Sequence, residues 1–192
     1  IDEPAEAAGR LDILVNNAGV GMTGQIDEIE EADWDLCLDT NLKAVFFGVK
    51  FAVPHMRRSG GGAVVNTASN AGILPRAHDP VYSISKLALT GLTRSLGLCL
   101  APQRIRVNAV CPGPVGETAM MEADLARQPD REAAVRRLIQ ASPIAQAHGR
   151  MITPEEVARS VLYLVSDAAA MVTGTLIAID GGKYLGVPPP PS

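Results

Sequence analysis

Two residues one helical turn apart, Tyr82 and Lys86 in the stretch YSISK, could share the handling of a proton. At i and i+4 on a helix their side chains face the same way. A free phenol has a pKa of about 10, and a fixed ammonium beside it favours the phenolate and lowers that value. A tyrosine so placed can exchange a proton near neutral pH as a general acid or base. Alone, the pair suits packing for Tyr82 and solvation for Lys86 equally well, because Y-x-x-x-K is common by chance. Its neighbours supply the context. Ser69 stands just beyond the apolar run AVVNTA, Asn16 just beyond LDILV, and Pro112-Gly113 just beyond IRVNAV.

Those runs must position the polar residues. LDILV (11–15), AVVNTA (63–68), IRVNAV (105–110) and TLIAI (175–179) suit strands buried on both faces, as in parallel sheets. Helical patterns lie between them, over about 31–57 and 81–100. A third helix opens at Thr153-Pro154-Glu155-Glu156, with Thr153 as N-cap, Pro154 at the first helical position and Glu156 closing a capping box. Residues 117–140 read as a partly helical excursion, a common place for a substrate lid. The alternation predicts an α/β fold, a single doubly wound parallel sheet of Rossmann-like type. In such a sheet Asn16, Ser69 and Pro112-Gly113 come to the carboxyl edge, where open α/β sheets bind ligands.

The stretch LVNNAGVGMTG contains a formal G-x-G-x-x-G at Gly19, Gly21 and Gly24. A dinucleotide fingerprint needs a helix opening inside the glycines and an acidic residue ending the next strand. Here an acidic, polar segment follows, and Asp39 sits in helical sequence. The spacing is therefore read as coincidence. The NNAG before it is the more specific part: a tight turn of asparagine and small residues that lets a ligand approach the backbone.

Together these residues resemble the classical short-chain dehydrogenase/reductase family. NNAG at Asn16 to Gly19, Asn41 in TNLKAVF, Ser69, YSISK, NAVCPG at Asn108 to Gly113 and DGG at Asp180 to Gly182 match its motifs in order, over about residues 8–183. The resemblance implies an NAD(P)-dependent oxidoreductase interconverting a secondary alcohol and a ketone, with NAD or NADP as cofactor. It implies that Tyr82 exchanges a proton with the substrate oxygen and that Ser69 hydrogen-bonds it. Lys86 would lower the Tyr82 pKa and hold the nicotinamide ribose, and Asn41 would hold a water linking Lys86 to solvent. Asn16, Ala18 and Gly19 would border the adenosine side of the cofactor; Pro112, Gly113, Val115 and, by a one-residue shift, Thr118 would border the nicotinamide. It further implies a homo-oligomer, dimer or tetramer, in the cytoplasm. The family's T-G-x-x-x-G-x-G loop is not in this sequence. Residues 1–186 are thus expected to be the C-terminal catalytic portion of one such domain, truncated at its N-terminus, and 187–192 a proline-rich tail. A non-catalytic binding or assembly module with the same fold is the alternative.

Bulk properties narrow the classes. The 192 residues are 47% hydrophobic and 20% charged, enough for one packed domain. A net charge of -4 gives no basic footprint for nucleic acid. No apolar run approaches the roughly 18 residues of a membrane span. Cys37, Cys99 and Cys111 have neither zinc nor disulfide spacing and read as reduced thiols. His55, His78 and His148 show no metal spacing, and no G-x-S-x-G elbow makes Ser69 a hydrolase nucleophile.

Overall fold

The computed structural model describes residues 1–186; the expected tail at 187–192 lies outside the described residues. Four strands, β1 (Ile13–Asn16), β2 (Gly62–Thr67), β3 (Ile105–Pro112) and β4 (Leu176–Ile179), form one sheet in the order β1-β2-β3-β4. All three pairings are parallel, with Asn16 opposite Asn66, Thr67 opposite Val110 and Pro112 opposite Ile179. Every connection is therefore a crossover, and helices cover both faces.

A short helix α1 (Asp2–Ala8) precedes β1. Between β1 and β2 run α2 (Glu31–Leu38) and α3 (Ala44–Arg58), joined by a π-helical turn over Asp39–Lys43. The single long helix expected over 31–57 is thus interrupted. Helix α4 (Pro80–Leu100) joins β2 to β3. Between β3 and β4 lie α5 (Ala119–Ala126), α6 (Arg131–Gln140), α7 (Pro143–His148) and α8 (Pro154–Val165).

Alternation along β2 separates the two layers. Val64 packs with Val49, Ala52 and Met56 of α3 and with Ile105 and Val107. Val65 faces the other way, onto Val110 and Leu164 of α8. The α8 capping box forms as expected: Thr153 Oγ1 accepts from the Glu156 amide, and the Glu156 carboxylate accepts from the Thr153 amide at 2.8 Å. At the other end of α8, Arg106 donates to the carbonyl oxygens of Leu164 and Ser166, a cation placed at the negative end of the helix dipole. Strand β1 is the sheet edge, and its Ile13 and Val15 are exposed. No helix among the described residues is long and apolar enough to cross a membrane.

Candidate active site

The carboxyl ends of β1, β2 and β3 open onto a cavity of about 1140 Å³. Ser69, Tyr82 and Lys86 line it, with Ala18, Gly19, Pro112, Gly113, Val115 and Thr118. Asn41 and Asn16 do not. Each has its carboxamide committed to protein groups.

Asn41 lies in the π turn and is fully buried. Its Oδ1 accepts from the Val20 amide at 2.9 Å, and its Nδ2 donates to the Val20 carbonyl at 3.0 Å and to Ser85 Oγ at 3.0 Å. One side chain thus clamps the loop after β1 onto α4. The extra residue of a π turn redirects a helix face, and such turns cluster at functional sites. Asn16 donates to Asn66 Oδ1 at 2.9 Å and ties β1 to β2. Its neighbour Asn17 lines the cavity instead and accepts from Thr67 Oγ1 at 3.0 Å. Asn17, not the expected Asn16, thus meets the cavity, because neighbouring side chains at a strand end project to opposite sides.

Ser69 follows β2 in an extended conformation, and its Oγ accepts from the Ala71 amide at 3.1 Å, capping a 3₁₀ turn over Asn70–Gly72. This turn sits directly on α4. A Cβ added at Gly72 would lie 2.6 Å from the Lys86 carbonyl oxygen. Only glycine allows the serine turn to approach the helix that carries Tyr82 and Lys86. Gly19 is close-fitting too: an added Cβ would lie 3.1 Å from Asn41 Oδ1 and 3.4 Å from Lys86 Nζ.

Lys86 is 4% exposed, and its ammonium donates to the Thr67 carbonyl oxygen at 3.0 Å. Burial depresses its pKa to about 8. Its one acceptor among the described residues leaves two of its three donors unspent. A buried ammonium with donors to spare beside an open cavity suits the paired hydroxyls of a ribose. The residues present therefore fit the nicotinamide-ribose end of a dinucleotide.

Tyr82 is 8% exposed. Its pKa lies above the ordinary phenol value, because burial outweighs a hydrogen bond with Ser69 and the positive charge of Arg76. The expected lowering by Lys86 is not what the structure shows. The Lys86 ammonium lies 5.7 Å from the ring centroid, and the Arg76 guanidinium stacks over the same ring at 5.5 Å. Arg76, which spacing did not single out, is held by Asp79 at 3.1 Å and Asn70 at 3.2 Å. Thr118 does line the cavity, but its hydroxyl caps α5 by accepting from the Met121 amide at 3.2 Å. His78 meets Gln25 at 3.1 Å, outside the cavity lining. No group of three or more His, Cys, Asp or Glu among the described residues could hold a metal.

A family model described as enoyl-(acyl carrier protein) reductase matches residues 1–183. An uncharacterized oxidoreductase of Thermotoga maritima is 41% identical over 183 residues, which cover 95% of this chain and 71% of that protein. Among solved structures, aldohexose dehydrogenase from Thermoplasma acidophilum in ligand-free form has a TM-score of 0.90 at 32% identity, covering 100% of this chain and 74% of that one. ElxO with NADP bound has a TM-score of 0.86 at 28% identity, covering 96% and 72%. With the match spanning nearly all described residues, the chain belongs to the short-chain dehydrogenase/reductase family of oxidoreductases.

Proposed function

We propose that this protein interconverts a secondary alcohol and a ketone with NAD or NADP, using Tyr82, Ser69 and Lys86 at the reacting atoms. The observation that carries the reading is the convergence of these three side chains on one cavity at the carboxyl edge of a parallel sheet. The NADP in the ElxO structure supports the choice of cofactor class. A bound nicotinamide supplies or accepts the hydride at carbon. The chain's own residues manage the oxygen. In reduction Ser69 donates a hydrogen bond to the carbonyl, and Tyr82 gives it the phenolic proton as the hydride adds to carbon. In oxidation the Tyr82 phenolate removes the alcohol proton.

Lys86 would hold the ribose hydroxyls of the cofactor with its unspent donors. Ala18, Gly19, Pro112, Gly113, Val115 and Thr118 border the cofactor through the cavity wall. Asn41 acts as a positioning residue, since its donors and acceptor are engaged with Val20 and Ser85. The two buried free thiols, Cys37 and Cys111, suit a reducing compartment and support a cytoplasmic location.

Association into a homo-oligomer is supported by an exposed aromatic row on α3. Phe46 and Phe47 pack edge to face at 5.5 Å, Phe47 and Phe51 stack at 6.2 Å, and all three are 40% or more exposed. The same row favours the alternative reading, a non-catalytic assembly module.

Titration of the protein with NADH and NADPH, followed by a turnover screen over secondary alcohols, decides between them. Binding of either cofactor with turnover of at least one alcohol is expected. Binding of neither would sink the oxidoreductase reading and leave the assembly module.

A further inference from the structure

The walls of the cavity carry a charge pattern that hydride transfer does not use. Four cations line it, Arg76, Lys86, Arg137 and Lys183, against two carboxylates, Asp79 and Asp124, in a chain whose net charge is -4. The two carboxylates are already engaged. Asp79 is buried and pairs with Arg76, and Asp124 pairs with Arg127 at 3.4 Å. Asp180, the acid nearest Lys183 in sequence, spends its oxygens on the Gly182 and Tyr184 amides at 3.0 Å each. Lys183 and Arg137 thus have no ionic partner among the described residues, although both face the cavity.

We propose that this enzyme's substrate carries an anionic group, a carboxylate, phosphonate or sulfonate, which Lys183 and Arg76 bind while its carbonyl oxygen sits at Ser69 and Tyr82. The inference rests on the oxidoreductase reading for the placement of the carbonyl. Three arrangements support it. The Arg76 guanidinium already stacks 5.5 Å from the Tyr82 ring, so a group it binds lies next to the reacting oxygen. Arg76 is fixed by Asp79, Asn70 and its own backbone amide on Ser83 Oγ, so little ordering remains to be done on binding. Lys183 sits on a 3₁₀ turn just after Gly181 and Gly182, both in the left-handed region, a turn anchored by Asp180. Burial first and the Arg76 charge second depress the Lys183 pKa, against the opposing pull of Asp180 and Asp79. An incoming anion adds negative charge beside a lysine that has no ion pair among the described residues. Arg137, on the α6 wall, is exposed and adds attraction at the mouth rather than a seat.

The test uses binding, which needs no turnover. Pyruvate, acetoacetate and levulinate are titrated by calorimetry, each against its methyl ester, with acetonylphosphonate and acetonylsulfonate to identify the preferred anion. At least one acid is expected to bind about tenfold or more tightly than its neutral ester, the least that a charge-assisted hydrogen bond contributes. Lys183→Gln is expected to erase that preference and Lys183→Arg to restore most of it. Equal binding of every acid and ester, with turnover of neutral alcohols intact, would overturn the anion site and leave the oxidoreductase standing. A strong acid preference with no hydride transfer from either cofactor would overturn the oxidoreductase reading and leave the anion site.

Discussion

The Lys86 ammonium is buried at the sheet edge with the Thr67 carbonyl oxygen, 3.0 Å away, as its hydrogen-bond partner and, among the described residues, no carboxylate paired with it. A charge so placed strains the fold. Its pKa falls from 10.5 to about 8, so the folded state releases the proton more readily than the unfolded one. The penalty is complete below about pH 8. It fades as pH rises toward 10.5, where both states are neutral. At about 1.4 kcal/mol per pKa unit the full penalty is about 3 kcal/mol.

Lys86→Met should therefore stabilise the protein at pH 7, by about 1–2 kcal/mol once the lost Thr67 hydrogen bond is counted. The gain should shrink between pH 8 and 10 as the wild-type protein sheds its penalty. Turnover should collapse in the same variant. Urea denaturation at the two pH values measures this, and an equal gap at both would refute the buried-charge account.

In the proposed mechanism Tyr82 carries the proton, so Tyr82→Phe should lower kcat by roughly 10²- to 10⁴-fold while NADH or NADPH still binds. The wild-type pH profile has a definite sign. Burial keeps the phenol protonated past its ordinary range, so reduction should hold steady through neutral pH. Oxidation, which needs the phenolate, should climb into the alkaline range. A Phe variant with wild-type turnover would remove Tyr82 from the mechanism.

The capping box at α8 gives a prediction independent of catalysis. Thr153→Ala should cost about 1 kcal/mol, because the Glu156 amide loses its acceptor. Glu156 also accepts from Arg150 at 2.8 Å, and these bonds hold its pKa down to about 2. Whatever stability that carboxylate contributes is present above its ordinary value of 4.5 and lost as pH falls toward 2. The Thr153→Ala deficit, measured by thermal melts, should persist in acid, because the hydroxyl it removes does not titrate.

Much of this arrangement was legible in the sequence because strand-end residues announce themselves. Four apolar runs bounded by polar residues marked the parallel strands to within two residues. Ser69, Tyr82 and Lys86 followed from their places after β2 and on α4. The less legible parts depend on geometry that side-chain type does not encode. A π turn adds one residue to a helix without changing its apolar pattern, so the helix over 31–57 read as continuous. That turn points Asn41 at Val20 and Ser85 rather than toward the cavity. The net effect on Tyr82 required knowing that it is 8% exposed, since burial raises its pKa against the lowering by Ser69 and Arg76. Arg76 and Lys183 are far apart in sequence and line one cavity because the loop before α4 and the turn after β4 both open onto it.

Gly72 is the least conspicuous of the residues that build the site, and its replacement is the sharpest test of how the site is held. A methyl group there would stand 2.6 Å from the Lys86 carbonyl oxygen and 2.9 Å from Thr90 Cγ2. The first of these is helix backbone and cannot rotate away. Gly72→Ala must push the 3₁₀ turn off α4, at a cost of about 2 kcal/mol or more, typical of overpacking against a rigid neighbour. Because Ser69 caps that turn, the displacement also moves its hydroxyl away from Tyr82. Turnover should therefore fall by about tenfold or more even where the variant remains fully folded, since small misplacements of a reacting group are costly. Circular dichroism establishes folding and steady-state kinetics the loss. A folded Gly72→Ala protein with unchanged kcat would show that the serine is positioned by something other than its contact with α4.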